Sequence, residues 1–373
     1  MKKHLSTIII SVCLLAIVIL SSIEFLAHRQ PEEIIPGPGV TEIRMLSEWL
    51  PSLRGTRGDT EVYILRGSRP GGSIIVLGGN HPNEPGGYLS AVLLVENAVV
   101  DQGTLYVLPR SNNSGFSHSE PQNANPQYFS FTKPDGSIRS FRYGSRLTNP
   151  LDQWPDPDVY IHASSGENLS GNENRNLNRA FPGRPDGNFT ERVAYAITEL
   201  IRQEDIFLTI DLHEASPEYP VVNAIVSHER AYTLTATVII FGLEDRGIQV
   251  SMESSPTNLR GLTHREFGDF TDTLAVLPET TNPAQGRLRG RTDEALVLTG
   301  KDKFYVRAQA LGRLFVPYDE SGHPLEDRVG RHLTTIEEFA LFLGWEYPEQ
   351  SMVIRDIPQH SSLLQRGIGA YLR

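Results

Sequence analysis

Short apolar runs bounded by glycine, proline or charge recur along the chain and read as buried strands. The clearest are 73–79 (SIIVLGG), 104–108 (TLYVL), 207–212 (FLTIDL), 221–226 (VVNAIV) and 273–277 (TLAVL). Between them the apolar period lengthens to that of helices, at 89–99, 191–202 and 232–243. In the second of these Val193, Ala194, Ile197, Leu200 and Ile201 share one face, and Asn188, three residues before Glu191, suits the cap. Alternating strands and helices predict an α/β fold around a mostly parallel sheet. Helical patterning returns at 293–314 and 335–343, and no repeat period is visible. One region breaks the pattern. Residues 111–188 are rich in Asn, Ser, Pro and Gly with little apolar periodicity, too long for a mere connection, so they form either a mobile insertion or the walls of a site.

The N-terminus follows a different rule. Lys2 and Lys3 precede an apolar run at 8–20, and the span from Leu5 to Ile23 makes a helix of about 28 Å, close to a hydrocarbon core of about 30 Å. A cleaved signal peptide and an uncleaved membrane anchor both fit residues 1–30. The best cleavage point, after Ala27, has Phe25 where a small residue is wanted. The lysine pair before the segment and Glu32–Glu33 after it orient the N-terminus to the cytoplasm, so the body is expected to be exported, either periplasmic or otherwise extracytoplasmic, or held at the membrane. Residues 31–41 read as a linker, and 42–373 as one large domain.

Composition narrows the chemistry. With 45 acidic and 34 basic side chains in 373 residues the net charge is −11, which excludes a nucleic-acid binder working through general basic charge. The single cysteine, Cys13, lies in the N-terminal apolar run, so the rest of the chain has no disulfide, thiolate nucleophile or cysteine-held metal. Any metal site there must use histidine and carboxylates.

Such residues stand where apolar runs end. The run 73–79 leads into NHPNEPGG, a stretch expected to be a tight non-helical loop that presents His81 and Glu84 at a strand end. A second His-x-x-Glu pair, His323 and Glu326, lies in a polar turn with no buried strand feeding it and is read as a decoy. His213 leaves the run 207–212; with His81 and Glu84 it completes a His₂Glu set that leaves a fourth position for water, as catalytic zinc requires. Glu279 ends the run 273–277 and is placed to act as a general base. Within the polar region RNLNRAFPG brings Arg175, Asn178 and Arg179 together, two arginines four apart beside an asparagine, suited to gripping a carboxylate and stabilising an oxyanion. No nucleophile elbow, phosphate-binding loop or dinucleotide fingerprint is present in the sequence.

In this order the blocks GGNHPNEPGG, NLNRAFPG, TIDLHEA and LPETTNP resemble the zinc metallocarboxypeptidase superfamily, and more closely its succinylglutamate desuccinylase and aspartoacylase branch. The resemblance runs from about Ile74 to Pro283, and the Asn-Arg-x-Phe-Pro-Gly block is its most specific element. It implies a mixed, mostly parallel eight-stranded sheet sandwiched between helices and one Zn²⁺ per chain held by His81, Glu84 and His213. Glu279 would be the base, and Asn178 with Arg179 would hold a substrate carboxylate. The chain departs from the family at Asn176, where an aspartate usually supports a zinc-binding histidine. It has no block-matched carbonyl-polarising arginine, for which Arg175 is offered by proximity in sequence. It also has no tyrosine between Tyr232 and Tyr305 to cover the substrate. The expected activity is hydrolysis of an amide in a small carboxylate-bearing substrate, such as an N-acyl amino acid. The alternatives are a carboxypeptidase acting on peptides or cell-wall peptides, and an inactive membrane-tethered binding protein.

Overall fold

The computed structural model describes residues 2–119 and 125–373. The strands are β1 (Glu42–Met45), β2 (Glu61–Arg66), β3 (Arg69–Leu77), β4 (Val99–Leu108), β5 (Tyr128–Thr132), β6 (Ile138–Arg142), β7 (Val159–Ile161), β8 (Asn168–Ser170), β9 (Leu208–Asp211), β10 (His213–Ala215), β11 (Ala224–Ser227), β12 (Ser251–Ser254), β13 (Leu274–Thr281) and β14 (Val353–Arg355). The helices are α1 (Lys2–His28), α2 (Pro85–Asn97), α3 (Phe189–Gln203), α4 (Tyr232–Thr237), α5 (Thr263–Phe270), α6 (Glu294–Thr299), α7 (Lys303–Ala310), α8 (Leu325–Glu346) and α9 (His360–Arg366).

Ten strands form one sheet in the order β1-β2-β4-β3-β9-β13-β11-β12, with β10 beside β13 and β14 beside β4. The eight strands of that path match the expected number; β10 continues β9 after a break at Leu212, and β14 extends an edge. The central pairs β4–β3, β3–β9 and β9–β13 are parallel, whereas β1–β2, β2–β4 and β13–β11 are antiparallel. The sheet is therefore mixed, with its parallel strands in the middle.

Period-two alternation covers both faces. On β3, Ile74 and Val76 pack under α2, α4 and α8, and Ile75 and Leu77 under α3 and α5. Asn188 caps α3 as its spacing predicts, its side chain accepting from Glu191 N at 2.9 Å while Glu191 Oε2 accepts from Asn188 N at 3.0 Å.

Several boundaries differ from expectation. The loop after β3 is shorter than its composition suggests, because Pro85 occupies the first turn of α2, where the missing N–H costs nothing. Val99 opens β4 rather than closing a helix. The pattern at 293–314 splits into α6 and α7 at Gly300, whose φ of 61° ends the first helix. α8 begins at Leu325, so Glu326 belongs to a helix and not to a turn.

The polar region resolves in favour of walls. Apart from residues 120–124, which lie outside the described residues, it folds into the hairpins β5–β6 and β7–β8 and short 3₁₀ turns. Residues 31–41 do not run free as a linker. Ile34 is buried, Gly37 N donates to Val95 O at 3.0 Å, and Glu32 bonds Arg142 Nε at 2.7 Å beside Arg110 and Tyr88. Helix α1 projects an unburied apolar surface with a mean hydropathy of 2.7, long enough to cross a membrane. Its last turn is docked: Arg142 Nη1 donates to His28 O at 2.9 Å.

Candidate active site

Strands β3, β9 and β13 run parallel, so their carboxyl ends open on one edge of the sheet, and the candidate residues gather there. The turn that leaves β3 depends on Gly79, at φ +60°, where a Cβ would lie 2.7 Å from Pro109 O. Gly87 lets α2 approach β9, since a Cβ there would lie 2.5 Å from Leu212 O. These glycines fix where His81 and Glu84 sit. Across the sheet, His213 on β10 and Glu279 on β13 are register partners.

The three predicted ligands converge. One ligand atom from each of His81, Glu84 and His213 lies within 4.8 Å of the others, and all three residues are buried. Nδ1 of His81 is 2.9 Å from one Glu84 oxygen, and Nδ1 of His213 is 2.9 Å from the other. The opposite ring nitrogens are held elsewhere, His81 Nε2 at 3.0 Å from Asn176 Oδ1 and His213 Nε2 at 2.8 Å from Asp211 Oδ2. When Nε2 donates to these acceptors, both Nδ1 lone pairs turn toward a carboxylate. That arrangement suits a cation and little else, so the donor set fits zinc.

The proton affinities agree with this geometry. Burial and the nearby Arg146 charge push His81 down to about 4, so it is neutral. Against its burial, the Asp211 and Glu84 carboxylates hold His213 well above the ordinary histidine value. Glu84, also opposed by burial, is held well below the carboxylate range by the two histidines. Without a metal, a proton on His213 supplies the positive charge between two carboxylates.

Glu279 lines the same cavity of 420 Å³ as the three ligands. Burial pushes its carboxyl up to about 8; the His213 charge opposes this and that of Glu84 adds to it. Its Oε2 is buried with no hydrogen-bond partner among the described residues. Asn178 and Arg179 reach the cavity from the polar region. Asn178 is oriented by its Oδ1, which accepts from Thr263 N at the start of α5 at 3.0 Å.

Arg175 is not brought to the cavity. Its Nε and Nη2 donate to Asp156 at 2.8 and 2.9 Å, and its Nη1 to Thr148 O at 2.8 Å, so the guanidinium pins the polar region together. Arg146, from the same polar region, does line the cavity, with Nη1 3.4 Å from Glu84 Oε1. No local motif marks Arg146. His323 donates toward Pro317 O at 3.0 Å and does not line the cavity, in keeping with its reading as a decoy.

Two supporting residues also escaped the sequence reading. Asp211 receives hydrogen bonds from Thr263 Oγ1 at 2.6 Å and Asn80 Nδ2 at 2.9 Å while it holds His213. Its position two residues before His213 on an alternating strand was the available signal. Glu173 Oε2 accepts from Asn176 Nδ2 at 2.6 Å, so a carboxylate stands behind the amide that holds His81.

No protein-family model matches the chain, and no curated protein does. Among solved structures it is similar to the product-bound ectoine utilization protein EutE (DoeB) from Ruegeria pomeroyi, at 18% identity, TM-score 0.39, and coverage of 61% of this chain and 55% of that one. It is also similar to a succinylglutamate desuccinylase/aspartoacylase from Rhodobacter sphaeroides, at 15% identity, TM-score 0.37, and coverage of 62% and 54%. The tripeptide-bound cell shape determinant Csd4 from Helicobacter pylori overlaps more of this chain, 79% against 56% of its own, at 12% identity and TM-score 0.46. This chain thus spans a little over half the length of each. The neighbours include the branch that the sequence blocks resemble.

Proposed function

We propose that the protein is an exported zinc-dependent amide hydrolase acting on a small substrate that carries a carboxylate, with an N-acyl amino acid as the preferred class. The observation that carries this reading is the convergence of His81 Nδ1, His213 Nδ1 and the Glu84 carboxylate beside Glu279 in a cavity that also holds Arg146 and Arg179.

Zinc at His81, Glu84 and His213 would supply Lewis-acid polarisation of the substrate carbonyl and acidification of a water, and its charge would lower the proton affinity of Glu279. Arg179 and Asn178 grip the substrate carboxylate, which fixes the amide relative to Glu279. Glu279 takes a proton from the attacking water as the carbon–oxygen bond forms, then delivers it to the nitrogen as the carbon–nitrogen bond breaks. Arg146 faces the oxygen on which charge develops. Asp211 and Asn176 keep the two imidazoles in the tautomer that leaves Nδ1 free.

Carboxypeptidase action on a peptide uses the same groups. The folding of the polar region into a wall that carries Arg146, Asn178 and Arg179 favours the smaller substrate. Helix α1 is read as a membrane anchor or signal, with the body on the extracytoplasmic side.

The test is elemental analysis together with turnover. The protein should bind about one zinc per chain and lose it in His213→Ala. Glu279→Gln should keep the zinc and lose about 10²- to 10⁴-fold in kcat. A Glu279→Gln variant with undiminished turnover sinks the mechanism. A well-folded wild type that takes up no zinc when zinc is supplied leaves a binding protein as the better reading.

A further inference from the structure

The floor of the cavity extends beyond the groups used so far. Leu277 on β13, Val226 on β11 and Glu253 on β12 are register partners across three adjacent strands, so their side chains stand on one face of the sheet. Leu277 precedes Glu279 by two residues and shares that face with it, and Glu279 in turn pairs with His213. One face therefore carries, in sequence, a ligand, the base, two aliphatic side chains and a carboxylate. All five line the same cavity.

The far carboxylate has no charge partner of its own. No arginine, lysine or histidine nitrogen pairs with Glu253 among the described residues, and its one hydrogen bond comes from Ser251 Oγ at a long 3.4 Å. Two fully buried acids are handled otherwise: Glu214 is paired with Arg328 at 2.9 Å and Glu266 with Arg260 at 2.8 Å. A charge on an edge strand such as β12 commonly faces water to discourage further pairing. Glu253 instead is half-buried and turned into the cavity, between exposed Ser251 and Ser254. The same cavity is also lined by two cationic side chains, Arg146 and Arg179. The site thus carries both charges, and an aliphatic stretch separates Glu253 from Glu279.

We propose that Glu253 makes this site selective for a substrate whose carboxylate-bearing residue also carries a cationic side chain, of the lysine or diamino-acid kind. The inference rests on the hydrolase reading above and names its substrate class. Two strand spacings across and two residues along place the Glu253 backbone about 12 Å from that of Glu279. A cationic side chain of about four methylenes can bridge that interval from the base toward Glu253, with Val226, Leu277 and Leu262, which line the same cavity, against the methylenes. A neutral side chain of the same length would leave the Glu253 carboxylate facing an apolar atom, desolvated and unpaired.

The test uses the zinc-loaded full chain in detergent and four probes: N-acetyl-L-lysine and N-acetyl-L-norleucine as substrates, and L-lysine and L-norleucine as ligands in calorimetry. Lysine should be preferred over its uncharged isostere by about tenfold in kcat/KM or in Kd, the contribution of one charge-assisted hydrogen bond. Glu253→Gln should bring that ratio to about one, and Glu253→Lys should reverse it in favour of norleucine. Norleucine bound or hydrolysed as well as lysine by the wild type overturns the inference while the hydrolase stands, as does a Glu253→Gln variant that keeps the preference. A zinc-loaded protein that neither binds nor hydrolyses any of the four counts against the hydrolase reading and removes this one with it. Thermal melting of both variants shows whether β12 is intact.

Discussion

The amide at position 176 is where this chain departs most visibly from the sequences it resembles, and the departure has a testable physical meaning. Asn176 Oδ1 accepts from His81 Nε2 at 3.0 Å while its Nδ2 donates to Glu173 Oε2 at 2.6 Å. The negative charge that would normally sit on residue 176 has moved one hydrogen bond outward. Glu173→Gln keeps an acceptor for the Asn176 amide and removes only the charge. Loss of an outer-shell partner typically weakens a metal site 10- to 100-fold. Glu173 acts through an intervening amide, so the low end applies, about tenfold or about 1.4 kcal/mol.

Asn176→Asp should not improve the site, although it creates the residue the family favours. It replaces an N–H···O contact of 2.6 Å by two facing carboxylates. At an effective dielectric of about 20, charges about 3 Å apart repel by about 5 kcal/mol before solvent screening. Because the Glu173 side chain is 28% exposed, it would turn outward or one of the pair would hold a proton. Joining Asn176→Asp to Glu173→Gln removes the clash and restores a donor–acceptor pair, so the double variant should recover wild-type affinity or better. The coupling in the cycle should be about 1–2 kcal/mol. Zinc affinity measured by competition with a chromogenic chelator gives all four corners. Tighter binding by Asn176→Asp alone, or unchanged binding by Glu173→Gln, would refute the account.

Other outcomes follow from the same contacts. Zinc binding should release protons at neutral pH, from His213 and Glu279, and should tighten as pH rises for as long as either group still holds its proton; proton release in weakly buffered solution reads this directly. Arg146→Gln should cost about 10²- to 10³-fold in kcat, as for removal of an oxyanion donor. Arg175→Met should instead lower the urea midpoint, by about 3 kcal/mol in stability, because it leaves Asp156 and Thr148 O without their donor. Glu32, lowered to about 2 by Arg110 and Arg142 against its burial, should contribute about 3 kcal/mol above pH 4.5 that is lost as pH falls from there toward 2; unfolding of Glu32→Gln followed by circular dichroism should show a smaller loss over that range.

What the sequence disclosed and what it withheld divide along a physical line. His81, Glu84, His213 and Glu279 were legible because each leaves an apolar run bounded by turn residues, and a strand end is a local feature. Asp211 was equally local, two residues before His213 at the end of β9, and its hydrogen bonds from Thr263 and Asn80 complete the support of that histidine. Arg146 and Glu253 were not legible. One is set by how a polar region folds back, the other by the register of β12 on β11, and neither leaves a trace in spacing. Residues 31–41 misled for a third reason. Proline and glycine mark flexible linkers, but also segments where backbone passes close to backbone: a Cβ on Gly37 would lie 2.3 Å from Glu96 O.

The charges of the site tie these observations to one another. Without metal, burial favours a proton on Glu279, and the Asp211 and Glu84 carboxylates favour one on His213. A divalent cation at His81, Glu84 and His213 that displaces both changes the local charge by nothing. Exchange of two protons for one dication thus leaves Arg146, Arg179 and the outer acids Asp211 and Glu173 in the same field. Arg146 and Arg179 would then need no rearrangement on metal binding. Under the proposed reaction the same exchange would leave Glu279 unprotonated, so metal occupancy and a competent base would come from one event.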